Sequence, residues 1–424
     1  MNKTSDISGF YKLTPQDRAR LVKDFVGLTD EETKALFTGE LQIDNANRMI
    51  ENVVGLMPVP IGIAVNFLIN GKDYIIPMAT EEPSVVAAAS NAAKMARVTG
   101  GFEATSTEAI MKGQIQVVDV PDPYGSRIII LKSKAEILEK ANACDPILIS
   151  LGGGAKDVEV RVLDTSFGSM VIVELLVDCK DVMGANAVNT MAEACGPFIE
   201  QLTGGRVCLR IISNLADHRL ARARVLVSRE VLGGEEVVDG IVRAYVFATA
   251  DQYRCATHNK GIMNGVTAVV LASGNDTRAI EAGAHSFASR TGRYQPLTTW
   301  EKNRDGDLVG TIELPVAVGI IGGLISSHPV AKVNLKIMGV KSAREFGEIL
   351  AAVGLAQNLA ALRALVTDGI QRGHMALHAR NIAVQAGATG DLVDKVAAQM
   401  VVEKSIRVDR AKDILEQMNK RKVF

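Results

Sequence analysis

Between Met111 and Asn214 the chain sets out apolar segments in one order: strand, helix, strand, strand, helix, strand. GQIQVVDV is the first strand, a helix spans about Ser126 to Ala143, and DVEVRVL and MVIVELLVD are the middle strands. A second helix spans about Ala185 to Leu202, and VCLRII closes the set. This β-α-β-β-α-β order is the ferredoxin-like split motif, complete in itself as a small domain. At 424 residues the chain exceeds one typical core. The expectation is an α+β protein in which 111–214 is inserted between two parts of a larger domain, 1–110 and 215–368. Residues 369–424 follow as a C-terminal helical flap.

The larger part reads as follows. Thr14-Pro15 pairs an N-cap with a first-turn proline, opening a helix to about Val26, and Thr29 with Glu32 is a capping-box pattern for a second. Both are assigned to an N-terminal arm without chemistry. VNFLI, Asn70-Gly71 and KDYIIPM make a hairpin, because Asn-Gly supplies the positive φ values of a type I′ turn. Glu81-Glu82-Pro83 opens a helix with Pro83 at its first position. That helix is thin (Ala87, Ala88, Ala89, Ser90, Ala92, Ala93), so other backbones can approach it, and it is expected at the centre of the larger domain. RLARARVLVS reads as a strand, EEVVDGIVRAYVFATA as a mostly buried helix, and LTTWEKN-RDG-DLVGTIELP as a second hairpin. Helices fill most of 342–368.

Composition excludes several classes. A net charge of -1 carries no nucleic-acid or membrane-surface footprint. VAVGIIGGLI stops well short of the roughly 20 residues that span a bilayer, and the N-terminus lacks the apolar core of a signal peptide. Five cysteines without CxxC pairing suit reduced thiols in a cytoplasmic protein and indicate no zinc site.

The chemistry concentrates in a few polar stretches. THNKGIMNG, Thr257 to Gly265, reads as a loop, because short polar side chains compete for the backbone's own hydrogen bonds. Alone, its Lys260 is an ordinary solvated lysine. Asp276 starts the next helix and is placed to meet that lysine. Two adjacent acids at Glu81 and Glu82 are usually only a charged helix start. His374 and His378 sit one turn apart, yet no HExxH and no third ligand accompany them, so no metal site is assigned. No GxGxxG follows a strand, and Gly152-Gly153-Gly154, lacking Lys-Ser/Thr, reads as a flexible connection rather than a P-loop. Met183-Gly184-Ala185-Asn186 opens the second helix of the small domain. Free N–H groups and the dipole favour an anion there, although a plain glycine turn explains the same residues. ENVVG, Glu51 to Gly55, is equally well a helix end closing on Gly55.

Seven stretches occur together and in order: ENVVG, EEPSVVAAAS, DVMGANAVNTMAE, SNLAD, THNKGIMNG, the GND of Gly274 to Asp276, and RGHMALHARN. Over nearly the whole chain they resemble a 3-hydroxy-3-methylglutaryl-CoA reductase of the bacterial type, class II. The resemblance implies reduction of a thioester to an alcohol by two successive hydrides, interconverting hydroxymethylglutaryl-CoA with mevalonate and CoA. It implies Glu82 as proton donor, Lys260 at the developing oxyanion, Asp276 between them, and His374 on the departing thiolate. For the substrate it implies Arg254 as carboxylate clamp, with Ser84, Thr257 and Asn264 as hydrogen-bonding partners. Each of the last three has a plain capping or loop-stabilising alternative.

The same resemblance makes the small domain the cofactor domain, with Asp181, Met183, Gly184, Ala185 and Asn186 as its dinucleotide loop and ENVVG near the CoA end. Asp145 falls where NAD-preferring relatives carry an acid on the adenosine ribose, where a carboxylate would repel a 2′-phosphate. NAD is therefore expected, with NADP as the alternative, and so is a homo-oligomer with its site across a dimer interface. Arg380 stands where the regulated membrane-bound relatives carry a phosphorylatable serine. A CoA-binding protein without catalysis is the rival from another class, and the joint presence of Glu82, Lys260, Asp276 and His374 argues against it.

Overall fold

In the computed structural model, residues 4–39, 41–367 and 369–420 are described, the side chains of 370–377, 419 and 420 excepted. Three helices come first, α1 (Pro15–Val26), α2 (Asp30–Thr38) and α3 (Ile43–Met49). Thr14 caps α1 on Asp17 N, and Thr29 and Glu32 close a full capping box on α2. The hairpin β1 (Ile61–Ile69) and β2 (Lys72–Ala79) turns at Asn70 and Gly71, with φ of 50° and 74° as the Asn-Gly pair requires. ENVVG is neither helix nor strand: α3 ends at Met49, capped at Ile50, and the segment after it is exposed through Val54 and Met57.

The Ala-rich helix α4 (Val85–Arg97) begins later than expected. Pro83 lies before it, and Ser84 is its N-cap, held at φ 74° in the left-handed region. The chain continues through β3 (Phe102–Ser106) and β4 (Ile110–Val118) to α5 (Pro123–Lys132) and α6 (Lys134–Asn142). These two replace the single helix expected there and break at Ser133. After the short α7 (Pro146–Ser150), β5 (Gly154–Thr165) and β6 (Gly168–Asp178) form a hairpin, followed by α8 (Ala185–Thr203) and β7 (Arg206–Ile212). The expected flexible connection at Gly152 to Gly154 is instead a tight one. A Cβ on Gly153 would fall 2.7 Å from Asp178 O, and one on Gly154 would fall 2.2 Å from Ile149.

The second half contains β8 (Leu220–Val227), the single turn α9 (Arg229–Leu232), α10 (Glu235–Ala250), α11 (Gln252–Ala272) and α12 (Thr277–Ala288). The hairpin β9 (Thr298–Lys302) and β10 (Leu308–Pro315) follows, then α13 (Pro329–Met338) and α14 (Ala343–Val366). Helices α15 (Ile370–Gln385), α16 (Asp391–Val402) and α17 (Val408–Lys420) end the chain around a small core of their own. Arg380 pairs with Asp394 at 2.7 Å, joining α15 to α16.

Two sheets organise these elements. Strands β2-β1-β3-β8-β10-β9 form a six-stranded sheet, and β5-β6-β4-β7 form a four-stranded antiparallel one with α5, α6 and α8 packed on one face. That second order is the one the split motif requires. The centre of the larger sheet's core is α14 rather than α4. All but a few residues from Phe346 to Leu362 are buried, and α4, α10, α11 and the strands β3, β8 and β10 pack around it. It is long and apolar enough to cross a membrane, but this apolar surface is used inside the protein. Helix α10 buries only one side, through Val238, Ile241 and Ala248, and leaves Val246 and Phe247 exposed, against the mostly buried helix expected.

Opposite Trp300 on β9 stands Gly310 on β10, and the indole lies across it. A Cβ there would be 2.2 Å from Trp300 Cζ3, while Trp300 is 1% exposed and donates through Nε1 to Asn358 Oδ1 of α14 at 2.7 Å. Gly310→Ala is therefore expected to destabilise the fold by about 1–3 kcal/mol, the usual cost of overpacking. Denaturant unfolding reads this directly, and an unchanged midpoint would mean that the indole moves aside freely.

Candidate active site

The stretch expected to be a loop is the middle of α11, which runs unbroken from Gln252 to Ala272. The physical reason lies outside the segment. The Asn259 side chain, a potential competitor for its own backbone, is fully occupied elsewhere: Nδ2 donates to Gln295 O at 2.9 Å, and Oδ1 accepts from Leu297 N at 3.0 Å. His258 is similarly engaged by Thr298, at 2.7 Å. With Cys255, Ile262, Met263 and Val266 these residues make the buried face of α11, so tertiary packing overrides local preference.

The opposite face carries Thr257, Lys260 and Asn264 at helical spacing of three and four residues. Lys260 Nζ donates to Glu82 Oε2 at 2.7 Å, and Asn264 Nδ2 donates to Glu82 Oε1 at 3.1 Å, so one carboxylate is held at both oxygens by adjacent turns of α11. Glu82 lies just ahead of α4, where its N–H is fixed by Thr80 Oγ1 at 3.1 Å. Two residues on, Ser84, in left-handed conformation, makes no side-chain capping bond to α4. The Thr257 hydroxyl bonds back to Tyr253 O at 3.4 Å.

Other candidates fall differently. Asp276 does not meet Lys260. Its Oδ1 caps α12 by accepting from Arg278 N and Ala279 N at 3.0 and 3.1 Å, and it pairs with Arg278 at 3.5 Å. Arg254 is half-buried on α11, and among the described residues its guanidinium has no hydrogen bond or carboxylate partner. Burial disfavours its charge, so an arriving anion would be welcomed there. His374 belongs to α15, and its side chain lies outside the described residues. His378 is exposed on the same helix.

The 181–186 segment sits at the N-terminus of α8. Gly184 is its N-cap at φ 106°, and a Cβ there would fall 2.3 Å from Cys179 Sγ, so glycine is required twice over. Ala185 and Asn186 supply the first-turn N–H groups, since the first helical bond is that of Val188 N to Gly184 O. Asp181 is anchored in this loop, its Oδ1 accepting from Ala343 N of α14 at 2.8 Å. Met183 lies with its backbone against Gly319. Asp145 is the N-cap of α7, with Oδ1 accepting from Leu148 N at 2.9 Å. Because Gly153 packs α7 against Asp178, Asp145 and the 181–186 loop share one end of the small sheet.

The sequence reading missed one large feature. A cavity of about 850 Å³ lies between the N-terminal arm and α4. Phe10, Tyr11, Val22 and Val86 supply apolar lining, while Lys12, Arg18 and Lys94 bring positive charge to it. Its signal in the sequence was the thin helix itself, which leaves room beside Ala87 and Asn91.

Comparison with known proteins adds the following. The family model described as hydroxymethylglutaryl-coenzyme A reductase matches residues 14–379. The chain is 60% identical over 415 residues to a 3-hydroxy-3-methylglutaryl-coenzyme A reductase of Archaeoglobus fulgidus, covering 98% of this chain and 95% of that protein. It is 37% identical over 375 residues to a probable enzyme of that name from Borreliella burgdorferi, covering 86% and 84%. Among solved structures, a Streptococcus pneumoniae reductase superposes with a TM-score of 0.83 at 40% identity, over 97% of this chain and 99% of that one. A class II enzyme of the same organism bound to NADPH in open conformations gives 0.82 at 40% identity, over 96% and 100%.

His258 is ambiguous in the sequence, and its surroundings make it a neutral core residue. It is 1% exposed, and burial, with Arg254 adding to it, pushes its imidazole down to about 3. Thr298 Oγ1 donates to Asn358 Oδ1 at 2.9 Å, so it accepts from His258 Nε2–H, leaving Nδ1 as a bare lone pair. The unfolded chain takes up this proton as pH falls below the ordinary 6.5, whereas the fold resists it until about 3. Stability is therefore lost as pH drops through that window, by at most about 1.4 kcal/mol per pH unit for one group. Replacing His258 by Gln should flatten the slope of unfolding free energy against pH across this range. Equal slopes for the two proteins would contradict the assignment.

Proposed function

Because the chain belongs to the hydroxymethylglutaryl-coenzyme A reductase family, in its class II form, we propose that it interconverts hydroxymethylglutaryl-CoA with mevalonate and CoA, using NAD(H). The observation that carries this is the Lys260–Glu82–Asn264 cluster: a cation and a carboxylate side by side at 2.7 Å on the open face of α11. A reduced nicotinamide, when bound, would supply one hydride to the thioester carbonyl, and a second, taking the place of the oxidised first, would supply one to the aldehyde. Lys260 stabilises the oxygen on which negative charge develops, and Glu82 donates the proton that oxygen finally needs. Asn264 fixes the orientation of the Glu82 carboxyl. Arg254 takes the acyl carboxylate, with Ser84 and Thr257 as hydrogen-bonding partners. His374 protonates the departing thiolate, since imidazole titrates near working pH. Asp276 acts on Lys260 by fixing the start of α12 beside α11, a longer-range role than direct contact.

The cavity under the N-terminal arm suits CoA. It is apolar enough for the pantetheine arm, it carries Lys12, Arg18 and Lys94 for the phosphates, and it starts about one turn along α4 from Glu82. Residues 111–214 serve as the cofactor domain, with the N–H groups of the N-cap Gly184 and of Ala185 and Asn186 in the first turn on the dinucleotide phosphates. The larger domain (1–110 and 215–368) binds substrate, and 369–424 is the flap that brings His374. Lys260 is 60% exposed in the single chain, too open for chemistry that must exclude water. That exposure, together with the exposed apolar side chains Val54, Met57 and Phe247, supports a dimer completing the site, in a cytoplasmic enzyme.

NADP(H) remains the second reading for one reason. The similar Streptococcus pneumoniae class II structure is bound to NADPH, and here one oxygen of Asp145 is already engaged on Leu148 N. Spectrophotometric oxidation of mevalonate with CoA, comparing NAD with NADP, separates the two. Asp145→Asn keeps the α7 cap but removes the charge, so the rate ratio should move toward NADP, and an unmoved ratio discards Asp145 as the selector. Lys260→Ala should lower turnover by at least about 100-fold, the loss of one oxyanion stabiliser. As an exposed side chain, its removal should leave stability within about 0.5 kcal/mol. Near-normal turnover in that folded variant would overturn the mechanism, and a folded wild type without nicotinamide-dependent turnover would favour a CoA-binding protein.

A further inference from the structure

The proposed catalytic cluster and the proposed cofactor loop belong to different sheets, yet hydride transfer needs their separation fixed within a fraction of an ångström. One short segment, residues 316–320 after β10, touches the supports of both. On one side it meets Asn275, which lies between α11 and α12, three residues beyond the end of the helix bearing Lys260. Asn275 holds Gly319 at both of its backbone polar groups: Gly319 N donates to Asn275 Oδ1 at 2.8 Å, and Asn275 Nδ2 donates to Gly319 O at 3.1 Å. Asn275 is itself steadied by Ser273 Oγ at 3.0 Å. A paired contact of this kind has one geometry, as a rung of a sheet does.

On the other side the same glycine lies against the loop before α8. A Cβ on Gly319 would fall 2.8 Å from Met183 N and 3.0 Å from Asp181 O, so only a glycine lets the two backbones approach this closely. Asp181 O accepts from Ile320 N at 2.9 Å. Arg219 then ties both strands of chain together from beneath. It is 4% exposed, and its guanidinium donates to Val182 O and Met183 O, both at 3.1 Å, and to Val318 O. Its charge is met by backbone carbonyls, and among the described residues no carboxylate is hydrogen-bonded to it. A buried arginine is costly to desolvate, and here both terminal nitrogens donate to the segments it joins.

We propose that residues 316–320 are a strap, clamped by Asn275 and Arg219 across Gly319, that sets where the N-terminus of α8 stands relative to Lys260 and Glu82. Asn275, Gly319 and Arg219 are positioning residues for hydride transfer, and none of them touches a reacting atom. This rests on the reading of 181–186 as the dinucleotide loop. Its consequence is selective: loosening the strap misplaces the nicotinamide against the carbonyl while leaving the cavity beside α4 and the Lys260–Glu82 pair unchanged.

The test uses the full-length enzyme and the variants Asn275→Ala, Asn275→Asp and Gly319→Ala. For Asn275→Ala and Gly319→Ala, kcat should fall and the KM for the nicotinamide cofactor should rise, together by roughly 10- to 100-fold in kcat/KM, the range a displacement near 1 Å produces. The KM for hydroxymethylglutaryl-CoA should hold within about twofold, and a primary deuterium isotope effect from 4-deuterated nicotinamide should grow as hydride transfer becomes limiting. Asn275→Asp keeps the acceptor for Gly319 N and should recover part of the loss. Amide hydrogen exchange at Gly319 and across 181–186 reads the strap without any ligand. Faster exchange with unchanged cofactor kinetics would overturn the positioning role. Unchanged exchange would overturn the strap itself, as would equal losses for both substrates. If Gly319→Ala does not fold, the half-buried Asn275, whose removal opens no core cavity, carries the test. A folded wild type that shows no nicotinamide-dependent turnover would sink the underlying function, a result separate from all of these.

Discussion

Helix α14 is the constraint on which the larger part of the molecule depends. It is buried over most of 346–362, so every neighbour must match its surface, and the matches are made with small residues. A Cβ on Gly265 of α11 would meet Gln357 at 2.9 Å, and one on Gly354 of α14 would meet Val266 at 3.0 Å. The two helices therefore approach at the distance glycine permits, and α4, thin for the same reason, packs along α14 as well. This contact turns Lys260 and Asn264 outward and brings the start of α4 beside them. The ion pair with Glu82 is a consequence of helix packing.

Electrostatics then assigns different tasks to groups that look alike in sequence. Glu82 and Asp276 are both acids at helix starts. Glu82 precedes a helix whose N-cap is a left-handed serine, so its carboxylate is free to reach α11, whereas Asp276 is itself the cap and is held by two backbone N–H groups. His258 and Lys260 are two residues apart on α11, so they face opposite ways: one becomes a neutral core imidazole and the other an exposed cation. Asp181 serves as an anchor on α14, and the loop that follows it gains its fixed position from that anchor and from Arg219. The position of the loop before α8 is thus set by contacts made with elements of the larger part.

What was legible in the sequence was what depends on short-range pattern. The split β-α-β-β-α-β order, the Asn70-Gly71 turn, the capping box at Thr29 and Glu32, and the second hairpin all follow from periodicity and turn chemistry. The co-occurrence of seven ordered motifs was enough to point to a reductase family, because no single motif had to carry the inference. Tertiary structure decided the rest. It made THNKGIMNG helical by occupying the Asn259 and His258 side chains, and it moved the centre of the core from α4 to α14. It also gave Asp276 a capping role in place of the contact with Lys260 expected of it, and it fastened Asp181 to α14. The physical reason is the same throughout. Propensities act through neighbours a few residues away, whereas these outcomes were settled by Gln295, Leu297, Thr298 and Ala343, partners 36 to 162 residues distant that only the folded chain brings into reach.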